Sequence, residues 1–475
     1  MSQPKIHFVG IGGAGMSALA QILLAQGAEV SGSDLAESAA VKRLRRQGAR
    51  IYVGHRESHV EQEAPDTVVV SSAVPPDNPE AALARARGIP VLGRAEMLAR
   101  LMQGRDGIAV SGTHGKTTTT SMIALVLERS GLDPTVAIGG ELNDIGSNAK
   151  LGRGPHFVAE ADESDGSFLF LKPRIAVVTN IDADHLEHYG TVEQIAQTFQ
   201  QFVSRVPAGG LVVTCADDPL AAGLDSGPAR RTTYGLRAAA DYTARDVRLE
   251  GMGSRCTVTE RGAVLGQLSL QVPGVHNISN ALAAVAVGRH LGLAFDSIAQ
   301  ALAAFRGARR RFEVLGEEQG ILVVDDYAHH PTELRATLAA ARQINRRIVA
   351  VFQPHRYTRT HFLMNDLAGS FQDADRVILT DIYAALEQPI PGVTVERLHR
   401  EMKTAIGPKV DLVRDKSAIP GFLLAAARPG DLVLTLGAGD VRLIGEEFLS
   451  LLRSRPAMVA HVAPPKPTAG PGTGG

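Results

Sequence analysis

Gly107-Ile108-Ala109-Val110 runs into Ser111-Gly112-Thr113-His114-Gly115-Lys116-Thr117-Thr118-Thr119-Thr120, and this stretch decides the reading of the chain. A short apolar strand enters a glycine turn. A lysine and a row of hydroxyls then open an apolar helix, Met122-Ile123-Ala124-Leu125-Val126-Leu127. This is the layout of a phosphate cradle. Backbone N–H groups at a helix N-terminus point at an anion, and the helix dipole favours negative charge there. Lys116 is placed to reach the terminal phosphates of a nucleotide, and Thr117 to offer its hydroxyl to magnesium. The loop is shorter than the common form. Position 110, where the usual spacing has its first glycine, is Val110, and Gly112 stands three residues before Gly115.

Working outward, 475 residues exceed what one core supports, and two to four domains are expected. The 49 basic and 50 acidic residues give a net charge of -1. That balance argues against nucleic acid or a membrane surface as the main partner. Cys215 and Cys256 have no ligand-type spacing and suit a reducing compartment. No run of 18 apolar residues occurs, and the N-terminus has no cleavable apolar core. A cytoplasmic protein, monomeric or a weak homodimer, is expected.

Upstream, Ile6-His7-Phe8-Val9 leads into Gly10-Ile11-Gly12-Gly13-Ala14-Gly15 and a helix from Met16 to Gln26. Further strands at 29–32, 66–70 and 89–92 argue a parallel, doubly wound sheet. Downstream, strands are expected at 157–160, 175–180 and 210–214. Residues 232–272 alternate apolar and polar side chains and read as a small antiparallel sheet, followed by an alanine-rich helix from Asn277 to Leu291. A third α/β segment has strands at 321–324, 348–352, 377–380 and 432–436. From about Ala457, Pro, Gly, Ala and Thr dominate, and disorder is expected.

The first glycine turn fits the dinucleotide fingerprint, with Asp34 near the expected distance. It marks a pyrophosphate site without choosing the nucleotide. NAD is one reading, but a dehydrogenase leaves the phosphate loop unexplained. A sugar nucleotide also has a pyrophosphate to place.

The loop Gly-Thr-His-Gly-Lys-Thr-Thr at 112–118 resembles the shortened phosphate loop of the Mur ligases, the ATP-dependent amide-forming enzymes of peptidoglycan precursor synthesis. Other segments are similar to its L-alanine-adding branch, in order along the chain. They are Gly10-Ile-Gly-Gly-Ala-Gly-Met-Ser-Ala-Leu-Ala20, Ser71-Ser72-Ala73-Val74 with Asn78-Pro79-Glu80, Glu160-Ala-Asp-Glu-Ser-Asp165 and Asn180-Ile-Asp-Ala-Asp-His185. Gly274-Val-His-Asn-Ile-Ser-Asn280, Arg310-Arg311-Phe312, Asp325-Asp-Tyr-Ala-His-His-Pro331 and Gln353-Pro-His-Arg-Tyr-Thr-Arg359 follow. The resemblance implies a three-domain α/β architecture. An N-terminal Rossmann-like domain (1–105) would bind the UDP substrate. A central P-loop ATPase α/β domain with a small antiparallel sheet (106–309) would bind ATP. A C-terminal Rossmann-like α/β domain (310–456) would bind the amino acid and close over the site, with 457–475 as a disordered tail. The implied reaction joins L-alanine to UDP-N-acetylmuramate with ATP and Mg2+. The alternative is the sister activity that attaches a recycled tripeptide to the same UDP sugar.

Roles carried over by resemblance are these. Lys116 neutralises the β- and γ-phosphates within a loop of Gly112, Thr113, His114, Gly115, Thr117 and Thr118. Glu160 holds magnesium with Thr117, and His185 serves a second magnesium. Without the resemblance, Glu160, Asp162, Glu163 and Asp165 are equivalent, and His185 with His188 also permits zinc. Asn280 reads adenine, supported by His276 and Asn277, while Arg311 and Asp326 reach the nucleotide. Arg356 and Arg359 suit the carboxylate of L-alanine, with Tyr327, His329 and His355 as neighbours. Gly12, Gly13, Ala14, Gly15, Ser33, Asp34, His55, Ser71 and Ser72 are the UDP-substrate candidates. One departure stands out: the family commonly has glycine where this chain has Leu386, and a left-handed turn is expected to be lost there.

Overall fold

The computed structural model describes residues 3–142 and 146–454, so the tail expected from about residue 457 lies outside the described residues. Three sheets organise the chain. The first has five parallel strands in the order Arg50–Val53, Glu29–Asp34, Lys5–Val9, Thr67–Val70 and Val91–Gly93. Its strand order reverses at Lys5–Val9, and the glycine turn leaves the carboxyl end of that strand. This is the switch point where open α/β sheets bind ligands. Gly10, with φ +80°, makes the tight turn, and the helix Ala14–Ala25 begins after Gly13.

The central sheet has ten strands. Asp106–Ser111 lies between Ile175–Val178 and His156–Glu160, all parallel, so the phosphate loop also leaves a switch point. Gly112 has φ +132°, and a Cβ there would fall 2.0 Å from Thr179 Oγ1, so only glycine fits. Gly115, with φ +78°, precedes the helix Lys116–Arg129, which is buried from Thr117 to Leu127. The antiparallel strands expected within 232–272 are Tyr242–Glu250, Gly253–Glu260 and Ala263–Leu270. They continue the edge of the central sheet through Arg230–Gly235, which pairs in parallel on both sides.

The third sheet has six strands in the order Glu313–Glu318, Ile321–Asp326, Asp431–Leu436, Arg347–Phe352, Arg376–Leu379 and Val410–Leu412. Only Glu313–Glu318 is antiparallel. Phe352, Phe371 and Phe448 are fully buried against it.

Two junctions place these sheets around one cleft. The N-terminal helix Ala14–Ala25 docks on the central strand Ser147–Lys150: Gln21 Nε2 donates to Asn148 Oδ1 at 2.7 Å, and Asn148 Nδ2 to the Ala14 carbonyl at 2.6 Å. At the other junction, Arg310 and Phe312 hold left-handed backbone at φ +59° and +49°. Such residues cost on the order of 1–2 kcal/mol each. Specific bonds hold them: Arg310 Nη2 donates to the Gly437 carbonyl at 2.7 Å, and Phe312 N–H to Asp326 Oδ2 at 2.7 Å.

The left-handed turn expected to be lost at Leu386 is retained. Ala385 and Leu386 have φ +47° and +71°. The neighbouring Glu387 carboxylate accepts from Thr358 N–H at 3.0 Å and from its hydroxyl at 2.7 Å, which pins the loop whatever residue stands at 386.

Candidate active site

A cleft of about 630 Å³ is bordered by all three sheets. Gly13, Ala14, Gly15, Ser71 and Arg94 come from the first, Lys116, Thr117, Glu160 and His185 from the second, and Arg311, Arg356 and Arg359 from the third. A second cavity of about 490 Å³ adjoins it behind the phosphate loop. His114, Gly115, Thr118, Asn280, Arg311 and Asp326 line that one, beside the apolar Tyr234, Val272, Phe305 and Phe312.

Lys116 lies back over its own loop. Its Nζ donates to the Gly112 and Thr113 carbonyls at 2.6 and 3.1 Å and to Glu163 Oε1 at 2.7 Å. Burial opposes the charge, but Glu163 and Asp162 outweigh it and raise the lysine pKa, so the amine stays cationic. The Thr117 hydroxyl donates to Glu160 Oε1 at 3.0 Å, and Gly139 N–H to Glu160 Oε2 at 2.8 Å. Of the four acids at 160–165, Glu160 is therefore the one joined to the threonine, and Glu163 the one joined to the lysine. A hydroxyl and a carboxylate at this spacing are hard oxygen donors of the kind magnesium takes.

His185 has φ +53° and caps a short helix, Leu186–Tyr189. Arg356 Nη2 donates to its Nδ1 at 3.3 Å, which leaves Nε2 as the other ring nitrogen. Arg356 itself has φ +70° at the start of the helix Tyr357–Phe362, and its Nε is buried without a hydrogen-bond partner. A strained residue with an orphaned buried donor is what a ligand site retains. Arg359 differs. Its fork is occupied by Asp184, with Nε and Nη2 each 3.0 Å from a carboxylate oxygen. It reaches the cleft wall, but its fork is filled by the central domain.

The loop and the C-terminal sheet meet through a second set of contacts. His114 Nε2 lies 3.0 Å from Asp182 Oδ2, and the Thr332 hydroxyl donates to the same oxygen at 2.7 Å. Burial opposes protonation of His114, yet Asp182 and Glu333 push it up to about 9. His114, Asp182 and His330 bring ligand-type atoms within 4.8 Å of one another. Their mutual contacts tie the phosphate loop to the helix Pro331–Arg342. In the second cavity, Asn280 Oδ1 accepts from Thr119 Oγ1 at 3.2 Å and its Nδ2 donates to Asn277 Oδ1 at 3.3 Å. Burial lowers His276 to about 4, with Arg311 acting the same way. Burial also lifts Asp326 to about 6 against the pull of Arg311.

In the N-terminal domain, Asp34 Oδ2 accepts from Gly12 N–H at 2.8 Å and braces the glycine turn. Ser71 lines the cleft, and Ser72 follows it. Ser33 and His55 turn inward instead: the Ser33 hydroxyl donates to the buried Glu80, and His55 Nδ1 lies 2.8 Å from Ser33 Oγ. Glu80, Arg94, Asp184 and Glu333 were not selected from the sequence as site residues. Glu80 and Asp184 stand inside segments that carry the resemblance, but the groups that these two, Arg94 and Glu333 meet across the fold come from other parts of the chain.

Residues 5–106 match the Mur ligase family, catalytic domain; residues 110–288 match the Mur ligase middle domain; residues 310–439 match the Mur ligase, glutamate ligase domain. A UDP-N-acetylmuramate–L-alanine ligase from Geotalea daltonii is 52% identical over 454 residues, covering 95% of this chain and 99% of its own. Among solved structures, the UDP-N-acetylmuramate-alanine ligase of Thermotoga maritima is 33% identical with a TM-score of 0.82, over 95% of this chain and 99% of that one. A murein peptide ligase from Psychrobacter arcticus is 26% identical with a TM-score of 0.70, over 96% and 100%. With the phosphate loop, the glycine turn and Arg311, Arg356 and Arg359 on one cleft, and matches in the same order along the chain, the protein belongs to the Mur ligase family.

Proposed function

We propose that the protein is an ATP-dependent ligase that joins L-alanine to the carboxylate of UDP-N-acetylmuramate in peptidoglycan precursor synthesis. The observation that carries this reading is the single cleft bordered by the glycine turn, by Lys116 with the Thr117–Glu160 pair, and by Arg356. A sugar nucleotide, the phosphate end of ATP and a small amino acid each find their own wall. The units 1–105, 106–309 and 310–456 take these three partners in turn, in the cytoplasm where ATP is held.

A carboxylate has no leaving group for an amine to displace. Transfer of the γ-phosphoryl group of ATP to a carboxylate oxygen makes an acyl phosphate and ADP. The neutral amine of L-alanine then attacks the acyl carbon, the C–O bond to phosphate breaks, the nitrogen gives up one proton to solvent or to the departing phosphate, and the amide and phosphate are released. Two anions meet in the first step, so catalysis is mainly positioning and charge neutralisation. Lys116, cationic at the floor of the cleft, exchanges loop carbonyls and Glu163 for phosphate oxygens. Thr117 and Glu160 would hold magnesium, with His185 at a second ion, and the bound metal supplies further positive charge to the phosphates. Asn280 presents an amide to adenine in the cavity lined by Tyr234, Phe305 and Phe312. The orphaned Nε of Arg356 is offered to the carboxylate of L-alanine. Arg359, held by Asp184, keeps the Arg356 segment in place.

Purified protein is expected to release phosphate from ATP only when UDP-N-acetylmuramate, L-alanine and magnesium are all present. Release with the recycled cell-wall tripeptide and none with L-alanine would overturn the assignment.

A further inference from the structure

Arg94 opens the helix Arg94–Met102, and its side chain lies flat against the glycine turn. A Cβ built on Gly15 would fall 2.8 Å from Arg94 Cδ and 3.2 Å from its Nη1. Arg94 Nη2 reaches across the cleft and donates to Asp162 Oδ2 at 3.0 Å. The N-terminal and central domains are thus bridged beside the site of the first turn.

That turn offers an anion little beyond backbone N–H groups and the partial charge of a helix end. Gly12 N–H is already bound to Asp34. A UDP sugar carries a negative charge on each of its phosphates, and a full cation beside the turn adds to what the backbone N–H groups supply. Of the cations on the cleft wall, Lys116, Arg309, Arg310, Arg311, Arg356 and Arg359 come from the phosphate loop and the C-terminal side, and Arg94 comes from the N-terminal domain.

We infer that Arg94 binds the diphosphate of the UDP substrate, leaving Asp162 to do so. The inference rests on the UDP-sugar reading above. A guanidinium matches phosphate oxygens with two parallel N–H donors. The pair it leaves is partly open to solvent, with Arg94 and Asp162 side chains 18% and 38% exposed, so water can take over the Asp162 carboxylate when the arginine turns to the phosphates. A side chain at Gly15 would shift the guanidinium from its place on the turn. Arrival of the substrate also frees Asp162, two residues from Glu160, and so couples the UDP end of the cleft to the ATP end. Such coupling is reciprocal.

The test uses the full-length protein and calorimetric titration with UDP and with UMP as probes. Wild type is expected to bind UDP more tightly than UMP. Arg94→Ala should weaken UDP binding about ten- to hundredfold, the range for hydrogen bonds to a charged group, with little change for UMP. Gly15→Ala, which keeps the arginine and suits a helix start, should show the same selective loss. Asp162→Asn should bind UDP several-fold more tightly, because the competing carboxylate is gone. Unchanged UDP affinity in Arg94→Ala, or equal losses for UDP and UMP, would overturn the inference while leaving the UDP-sugar reading intact. A wild-type protein that binds neither UDP nor UDP-N-acetylmuramate overturns both.

Discussion

Glu80→Gln tests how the N-terminal domain is held together. Glu80 stands in the first turn of the helix Pro79–Ala86, whose cap Asn78 accepts from Glu80 N–H at 3.0 Å. Its side chain is completely buried. It accepts from the Ser33 hydroxyl, lies 2.6 Å from His59 Nδ1 and 3.1 Å from His55 Nδ1, and faces His7 Nε2 at 3.6 Å. Burial by itself would raise the carboxyl pKa, but His7, Ser33 and His59 overcome it and pull it from 4.5 down to about 2. A carboxyl with a lower pKa folded than unfolded stabilises the fold above the unfolded value. That stabilisation is lost as pH falls through the folded value. A fall from 4.5 to about 2 corresponds to about 3 kcal/mol at neutral pH. Glutamine keeps the shape and loses the charge, so the variant should lose stability on that order at pH 7. A chain of three sheets does not unfold in one step, so hydrogen exchange resolved by segment is the suitable assay. Peptides from 29–34 and 79–86 should lose about a hundredfold in protection relative to wild type at pH 7. The ratio should close as pH falls from 4.5 towards 2, because wild type then loses the same charge. Equal protection at pH 7, or a ratio that does not change with pH, would refute the reasoning.

Leu386→Gly should stabilise the C-terminal domain. Relief of a left-handed non-glycine residue is worth about 1–2 kcal/mol, reduced by about 0.4–1 kcal/mol for the freer unfolded chain. Leu386 is 83% exposed, so no burial is lost. A melting rise of about 2–4 °C follows for the domain, and a fall in melting temperature would show that the side chain has a contact of its own. Lys116→Ala should leave binding of the UDP sugar intact and lower kcat by at least about a hundredfold, as for loss of one charge-stabilising group. Equal loss of binding and turnover in steady-state kinetics would mean that the two ends of the cleft are not separate.

The sequence by itself determined the two glycine turns, the strands that lead into them and the lysine that follows the second; edge strands such as Ser147–Lys150 and Val410–Leu412 were not legible in it. Those features are local: an apolar run, a glycine that must take positive φ, and a helix start lie within about fifteen residues of one another. Gly112, Gly115 and Lys116 are therefore legible without a structure. The resemblance added Glu160 and His185, which spacing left among several acids and a histidine pair. Tertiary structure alone decided which partners these groups meet. Lys116 pairs with Glu163, Arg359 is occupied by Asp184, Ser33 and His55 turn inward to Glu80, and Arg94 lies on Gly15 and reaches Asp162. Each of these contacts depends on strand order within a sheet or on the docking of one sheet against another. Side-chain type fixes only that a charge must be paired; the packing of elements far apart in sequence chooses the partner.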